Sequence, residues 1–304
     1  MLALTEMVIQ GVSTRKVTEI TQELCGAEFS KSTVSGLCKR LDPLVEAWNA
    51  RPLKETRYPF VIVDAIVIKI REDEQIRPRG VLIATGVTKE GQREILGFHV
   101  GDSQSEAGWS ELFGRLKLLG LSGVDFVISD NHSGLVRAIQ TQFQGVIWQR
   151  CQTHFRRNIL DGAPKRLRQD LHERVKAVLH AHDMPLARQL LKGIYADFGQ
   201  TAQKALEVLE SGFEDAMAVM ALPGVCRQRL RTTNGVERLN EEIRRRERVI
   251  RIFPNRASAD RLIGAILMEH SEKWVSGKCY LVMEDYWRWR AENGSPSSKL
   301  VRIG

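Results

Sequence analysis

Y-P-F-V-I-V-D-A-I-V-I-K-I-R, residues Tyr58–Arg71, is a long β-branched run that reads as a strand. Arg77–Val87 reads as a second strand, Thr88–Gly91 (T-K-E-G) as a turn and Arg93–Val100 as a third strand. Three successive strands with short turns make an antiparallel meander. Ser105–Leu119 then carries Trp109, Leu112, Phe113 and Leu116 at helical spacing. Val124–Ser129 is a short buried strand, Ser133–Phe143 a helix and Val146–Gln149 another strand.

A meander followed by alternating helix and strand is the element order of a ribonuclease H-like α/β core. A doubly wound sheet would show crossover helices from the start. Residues 1–50 read as helices only. Ser13 opens a helix with Val17, Ile20 and Leu24 on one face, Gly26 breaks it, and Ser30 caps a second helix with Val34, Leu37 and Leu41 apolar. The pair suggests a helix-turn-helix, with Lys31, Ser32, Ser35 and Lys39 on the exposed face of its second helix. From Thr153 to about Leu230 the pattern is helical, with breaks at 162–164, 184–185 and 222–224, so an all-helical insertion interrupts the core. The predicted division is 1–50 (DNA-binding segment), 51–160 (core, first part), 161–230 (insertion), 231–282 (core, second part) and 283–304 (tail).

Composition bounds the function. The 304 residues, 43% hydrophobic, bury a sizeable core plus one or two smaller modules. Net charge is +8 and the basic residues cluster, at Arg156/Arg157, 165–168, 227–231 and 244–251, which favours an anionic partner such as DNA. The five cysteines are scattered and form no C-x-x-C pair, which argues for a reducing compartment. No apolar run approaches the roughly 20 residues of a membrane span, and no basic n-region precedes the first residues. A cytoplasmic protein with no membrane contact is expected.

Three acids need explaining. Asp64 sits inside the most apolar strand, where a carboxylate is costly unless paired, hydrogen-bonded or metal-bound. The strand is expected to be covered on both faces; an outward-pointing edge position is the plain alternative. Asp130 ends V-I-S-D, where a strand gives way to a helix. It reads equally as a helix N-cap or as a functional group at a strand's carboxyl end. Strand one lies next to the strand of Asp130 in such a core, so the two carboxylates could converge. Glu237 lies in R-T-T-N-G-V-E-R-L-N-E-E-I-R-R-R-E-R (Arg231–Arg248), a helix whose Val236, Leu239, Ile243 and Ile250 recur at core-facing spacing. Asn234-x-x-Glu237 also fits a capping box. Asn240, Arg244 and Arg248 continue on Glu237's side, with Arg238 and Arg245 adjacent, as candidate DNA contacts. Convergent acids suit Mg²⁺ (or Mn²⁺), two ions of which serve in-line phosphodiester displacement. Cys151-Gln-Thr-His154 lacks a second ligand pair for tetrahedral zinc and reads as a buried pair beside the site.

These blocks together resemble the Mutator-type transposases of bacterial insertion sequences, a branch of the DDE recombinases. The matching residues are Val63–Ala65, G-D-S-x-S-E from Gly101, S-D-x-H from Ser129, W-Q-R-C-Q-T-H-F-R-R-N from Trp148 and T-N-x-x-E-R-L-N-x-E-I-R-R-R from Thr233. They continue through Ile252–Asn255 to Trp274, Gly277 and Tyr280, covering about residues 1–282. The resemblance implies a ribonuclease H-like core with a helical insertion, and Asp64, Asp130 and Glu237 as the metal-binding catalytic triad. It implies a C-x-x-H element at Cys151 and His154, and Arg244 near the scissile phosphate. The implied activity is metal-dependent cleavage at terminal inverted repeats and strand transfer into target DNA by a homo-oligomer. Family members usually carry a further N-terminal region before the helix pair. A truncated, inactive transposase-derived DNA-binding protein or repressor is therefore the alternative. The insertion lacks tryptophan, which gives little support for stacking a flipped base.

Overall fold

The computed structural model describes residues 2–26, 29–102 and 104–294. Helices α1 (Leu2–Ile9), α2 (Thr14–Cys25), α3 (Lys31–Cys38) and α4 (Asp42–Asn49) come first. A sheet region follows, with β1 (Phe60–Glu72), β2 (Gln75–Val87), β3 (Arg93–Gly101), α5 (Glu106–Leu118), β4 (Phe126–Ser129), α6 (Ser133–Gln142) and β5 (Ile147–Arg150). Then come α7 (Gln152–Asp161), α8 (Arg168–Leu179), α9 (Met184–Phe198), α10 (Gln203–Met217) and α11 (Gly224–Leu230). The chain closes with α12 (Asn234–Ile250), α13 (Arg256–Val275) and α14 (Glu284–Asn293). No described helix is long and apolar enough to cross a membrane.

The five strands form one mixed sheet in the order β3-β2-β1-β4-β5. β1 pairs antiparallel with β2, and β2 with β3, while β1–β4 and β4–β5 are parallel. The meander and the adjacency of β1 and β4 are as expected. Both meander strands run further than the sequence pattern suggests, because the β1–β2 hairpin closes on Asp73 and Glu74 at φ 48° and 63°. Tight hairpin turns favour Gly or Asn at such angles, so a turn without either gives no sequence signal.

Side-chain alternation sorts β1 onto two cores. Phe60, Ile62, Ile66, Ile68 and Ile70 pack into the larger one with Val236, Leu239 and Ile243 of α12 and Ile263 and Ile266 of α13. Val61 and Val63 face the other way, onto Trp109, Leu112 and Phe113 of α5 and Leu135 and Ile139 of α6. Coverage on both faces stops there. Val67 is 46% exposed and Lys69 is exposed, since α5 and α6 cover only the first half of the strand. Asp64 belongs by parity to the α12 face.

β4 is only four residues long and pairs with β1 at Phe60–Ile62, leaving the edge of β1 beyond Ile62 without a strand. Further along that edge Phe253 bridges Ile70, accepting from Arg71 N (2.8 Å) and donating to Lys69 O (2.8 Å). The site described below occupies the gap between β4 and Phe253.

A separate core joins α7 to α10 through Phe155, Ile159, Leu171, Val175, Ile194, Phe198, Leu209 and Phe213. Its buried set runs from Phe155 to Met217, while Val219, Leu222, Cys226 and Leu230 pack on the sheet core instead. Pro185 sits in the first turn of α9 rather than breaking a helix, a position that suits its missing N–H. Gln149 of β5 ties this module to the sheet: its Nε2 donates to Ala216 O (2.7 Å) and its Oε1 accepts from Val219 N (2.6 Å).

The first three helices close a small core of Leu4, Val17, Val34 and Leu37. Ser13 and Ser30 cap α2 and α3, and Gly26 ends α2 at φ 63°. Leu24, expected on the apolar face, is 74% exposed, and Thr21 is buried in its place. Residues 284–293 are not tail. Tyr286 of α14 is fully buried against Phe60 and donates to Asp125 Oδ2 (2.7 Å). The Gly/Ser/Pro-punctuated end, 295–304, lies outside the described residues.

Candidate active site

Asp64 is 7% exposed in mid-β1. Its Oδ1 accepts from Ala65 N (2.9 Å) and its Oδ2 from Asn240 Nδ2 of α12 (2.9 Å). Burial pushes its pKa up to about 7; the Ala65 N–H and the charge of His154 oppose the rise, and Asp130 and Glu237 add to it. Asp64, Asp130 and Glu237 are therefore electrostatic neighbours, although they come from a strand, a strand end and a distant helix.

Asp130 follows the last residue of β4. Continuing the β1–β4 register from Ile62↔Ile128 by two residues brings it alongside Asp64. It is not the N-cap of α6; that position is His132, and Asp130 Oδ1 accepts from His132 N at 3.3 Å. The side chain thus steadies its own turn while staying half-exposed at the sheet's end.

Glu237 stands in the first turn of α12. Thr233, not Asn234, caps that helix, so the expected capping box does not form. Thr233 is drawn inward instead: its N and Oγ1 both donate to Cys151 Sγ at 3.3 Å. Asn234 Oδ1 accepts from Thr153 Oγ1 (3.0 Å). With no capping role, the Glu237 carboxylate points at His154, Oε1 lying 3.4 Å from Nε2. Val236, Leu239 and Ile243 are buried as expected, whereas Ile250 is 36% exposed, because the helix runs past the sheet before its last turn.

Cys151 is fully buried at the end of β5, its N donating to Ser129 O (2.7 Å). Burial works against ionising its thiol, but contacts from His154 and Thr233 outweigh that and lower its pKa. The sulfur in turn raises His154 to about 9, assisted by the charges of Asp64 and Glu237 and opposed by burial. Ligand atoms of Cys151, His154 and Glu237 lie within 4.8 Å of one another, the one such metal-competent grouping among the described residues. The C-x-x-H pair is therefore part of the acidic corner, with His154 meeting Glu237.

The expected DNA-facing residues divide. Arg238, Arg244 and Arg248 are exposed on α12. Arg245 is exposed but holds Glu242 through two hydrogen bonds of 2.7 and 2.8 Å. Asn240 is not on that exposed face: it is 6% exposed and its amide is committed to Asp64. Arg246 is 3% exposed, paired with Glu242 (2.8 Å) and Glu269 (3.2 Å), and donates to Ile9 O of α1 (2.8 Å). Lys31, Ser32, Ser35 and Lys39 are exposed on α3 and its extension. The first three border a groove of about 520 Å³ that Arg246, Val249 and Pro254 also line. Reasoning from sequence missed Asn240 as a holder of Asp64, although its spacing three residues after Glu237 was a usable signal.

Comparison with known proteins bears on the chain's family. A family model described as "Transposase, Mutator family" matches residues 1–277. The transposase for insertion sequence element IS256 in transposon Tn4001 of Staphylococcus aureus is 45% identical over 277 residues, covering 90% of this chain and 71% of that protein. The transposase for element ISRM5 of Rhizobium meliloti is 39% identical over 282 residues, 93% of this chain and 71% of its own length. The transposase for element IS1081 of Mycobacterium tuberculosis is 40% identical over 285 residues, 92% and 68% respectively.

Proposed function

This chain belongs to the Mutator family of transposases, and from that premise we propose that it is a DDE transposase with Asp64, Asp130 and Glu237 as its catalytic carboxylates. What supports the reading is that Asp130, at the end of β4, and Glu237, on α12, both act electrostatically on the buried Asp64 of β1, whose cationic neighbour is His154 rather than a lysine or arginine.

Divalent cations fit this corner by its chemistry. Hard carboxylate oxygens suit Mg²⁺ or Mn²⁺, and a buried acid whose pKa has risen to about 7 is one that a cation would relieve. Asp64, Asp130 and Glu237 would hold two ions, which when bound would supply Lewis-acid activation of the attacking oxygen and charge neutralisation at the leaving oxygen. The chain's own groups do the positioning. Asn240 fixes one Asp64 oxygen and the Ala65 amide the other. His154 keeps its proton at neutral pH and sets the Glu237 carboxylate. The exposed arginines of α12 bind DNA phosphates as point and fork donors.

The proposed reaction is hydrolysis of a phosphodiester at the element end, then attack of the freed 3′-OH on target DNA. In this reading the sheet with α5, α6, α12 and α13 is a ribonuclease H-like core, and α7–α10 form its helical insertion. Helices α2 and α3 act as a helix-turn-helix on the terminal repeats, and a homo-oligomer brings two ends together in the cytoplasm. The test is Mg²⁺-dependent nicking and strand transfer on cognate end DNA. Equal activity in wild type and Asp64→Ala would overturn the assignment.

A further inference from the structure

A cleft of about 470 Å³ opens next to the acidic corner. Gln152 and Thr153, just before His154, and Gly235 and Arg238, either side of Glu237, line its wall on the site side. Five arginines border it (Arg93, Arg156, Arg229, Arg231 and Arg238) and no carboxylate does. Several arginines elsewhere are matched to acids, as in Arg51–Glu94 (2.6 Å), Arg174–Asp197 (2.5 Å) and Arg246–Glu269 (3.2 Å). None of the five has an acidic partner among the described residues, and Arg93 Nε is buried without any hydrogen bond.

The fold builds this cluster against its own repulsion. Arg93 is clamped between Trp274, 3.5 Å from its guanidinium carbon to the ring centre, and Tyr280 at 4.8 Å. The same Tyr280 carries Arg229 5.5 Å from its ring and donates its hydroxyl to Arg229 O (3.1 Å). A Cβ at Gly235 would collide with Arg93 Nη1, so the glycine makes room for the guanidinium beside the first turn of α12. That turn also presents the positive end of a 17-residue helix. Aromatic rings can hold cations in place but cannot neutralise them.

We propose that this cleft binds a phosphate of the DNA backbone, gripping the strand beside the group that reaches Asp64 and Glu237. The identity of the polyanion rests on the transposase reading above; the anion site itself rests on the unpaired arginines. Glu237 and the cleft share the first turn of one helix, about 5.4 Å in pitch, so strand grip and chemistry are fixed to one rigid element.

The test is binding of duplex end DNA by the full-length chain, followed by anisotropy across a salt series without divalent metal. Arg229→Gln/Arg231→Gln is compared with Lys192→Gln/Lys204→Gln, an equal charge loss at exposed positions of α9 and α10. Arg93→Gln is a third variant. Thermal melts of all variants check folding, and the Arg229/Arg231 pair keeps the test open should loss of Arg93 unfold its aromatic clamp. The cleft variants are expected to bind roughly tenfold more weakly, the worth of a lost charge-assisted hydrogen bond. Their log-affinity against log-salt slope is expected to fall by roughly 0.9 for each phosphate the cleft no longer holds. Equal losses in folded cleft and control variants would overturn the proposal. So would competition for the cleft by inorganic phosphate with DNA affinity unchanged by the cleft substitutions, which would make the ligand a free anion. Because no metal is present, failure here is distinct from failure of the functional reading, which only the cleavage assay with Asp64→Ala decides.

Discussion

Two aspartates are buried to nearly the same degree beside the same pair of strands, Asp64 at 7% exposure and Asp125 at 6%. Asp125, just before β4, is matched on both oxygens: Tyr286 donates to Oδ2 (2.7 Å) and Arg290 to Oδ1 (2.8 Å). Asp64 receives two neutral donors, and apart from the partly buried His154 its charged neighbours are two further acids. Burying an ion without a counter-charge is costly. The fold accepts that cost at Asp64 and removes it at Asp125, within one sheet. The contrast separates a carboxylate matched by an arginine and a hydroxyl from one held by two neutral donors with further acids beside it.

The largest expected effect lies at the unmatched acid. Asp64→Asn is expected to lower Mg²⁺-dependent cleavage of end DNA by roughly 10³-fold or more, about 4 kcal/mol of barrier, while the melting temperature holds or rises. Asp125→Asn should invert that pattern. It removes the charge that matches Arg290 and leaves either Arg290 or the Tyr286 hydroxyl facing an NH2 donor, and is expected to cost roughly 2 kcal/mol of stability in denaturant unfolding. If Asp125→Asn proved silent in unfolding while Asp64→Asn unfolded the chain, the contrast would be reversed. A smaller loss is expected for Asn240→Ala, which frees one Asp64 oxygen: about tenfold in cleavage rate with DNA affinity unchanged.

The Asp64 side of this contrast was legible in the strand pattern, while Asp125 lay unmarked in a run that reads as a short buried strand. V-I-V-D-A-I-V places an acid within a covered strand, and V-I-S-D places another at a strand end, so the corner could be located from β-spacing alone. Its supports could not. Cys151 takes the Thr233 hydroxyl across 82 positions, which dissolves the capping box that N-G-V-E suggests. Tyr286 and Asp125 meet across 161 positions, and α14 reads as tail until that buried hydroxyl is seen. Arg93 carries no local motif, and Tyr280, though part of the family resemblance, shows its role only through their contact. Periodicity tells which side of an element is covered, but not what covers it.

Acidity offers the mildest test of the same contrast. Asp64 is raised to about 7, so its protonated form favours the fold, and this contribution is lost as pH climbs from about 4 to about 7. His154, raised to about 9, adds stability that is complete below about pH 6.5 and lost as pH rises through 9. Metal-free wild type is therefore expected to melt lower at about pH 8 than at about pH 5, and Asp64→Asn to show a shallower decline in thermal scans. Identical slopes would mean that Asp64 does not titrate in that window.

Glu237 is the most direct probe of the account, because it is the acid that α12 brings to the corner and it has no capping duty. Glu237→Gln keeps the size of the side chain and removes its charge. Mg²⁺-dependent cleavage of end DNA by this variant, measured beside its melting curve, is predicted to be absent while the melt matches wild type. A folded Glu237→Gln protein that cleaves at the wild-type rate would contradict the claim that three converging carboxylates carry the reaction.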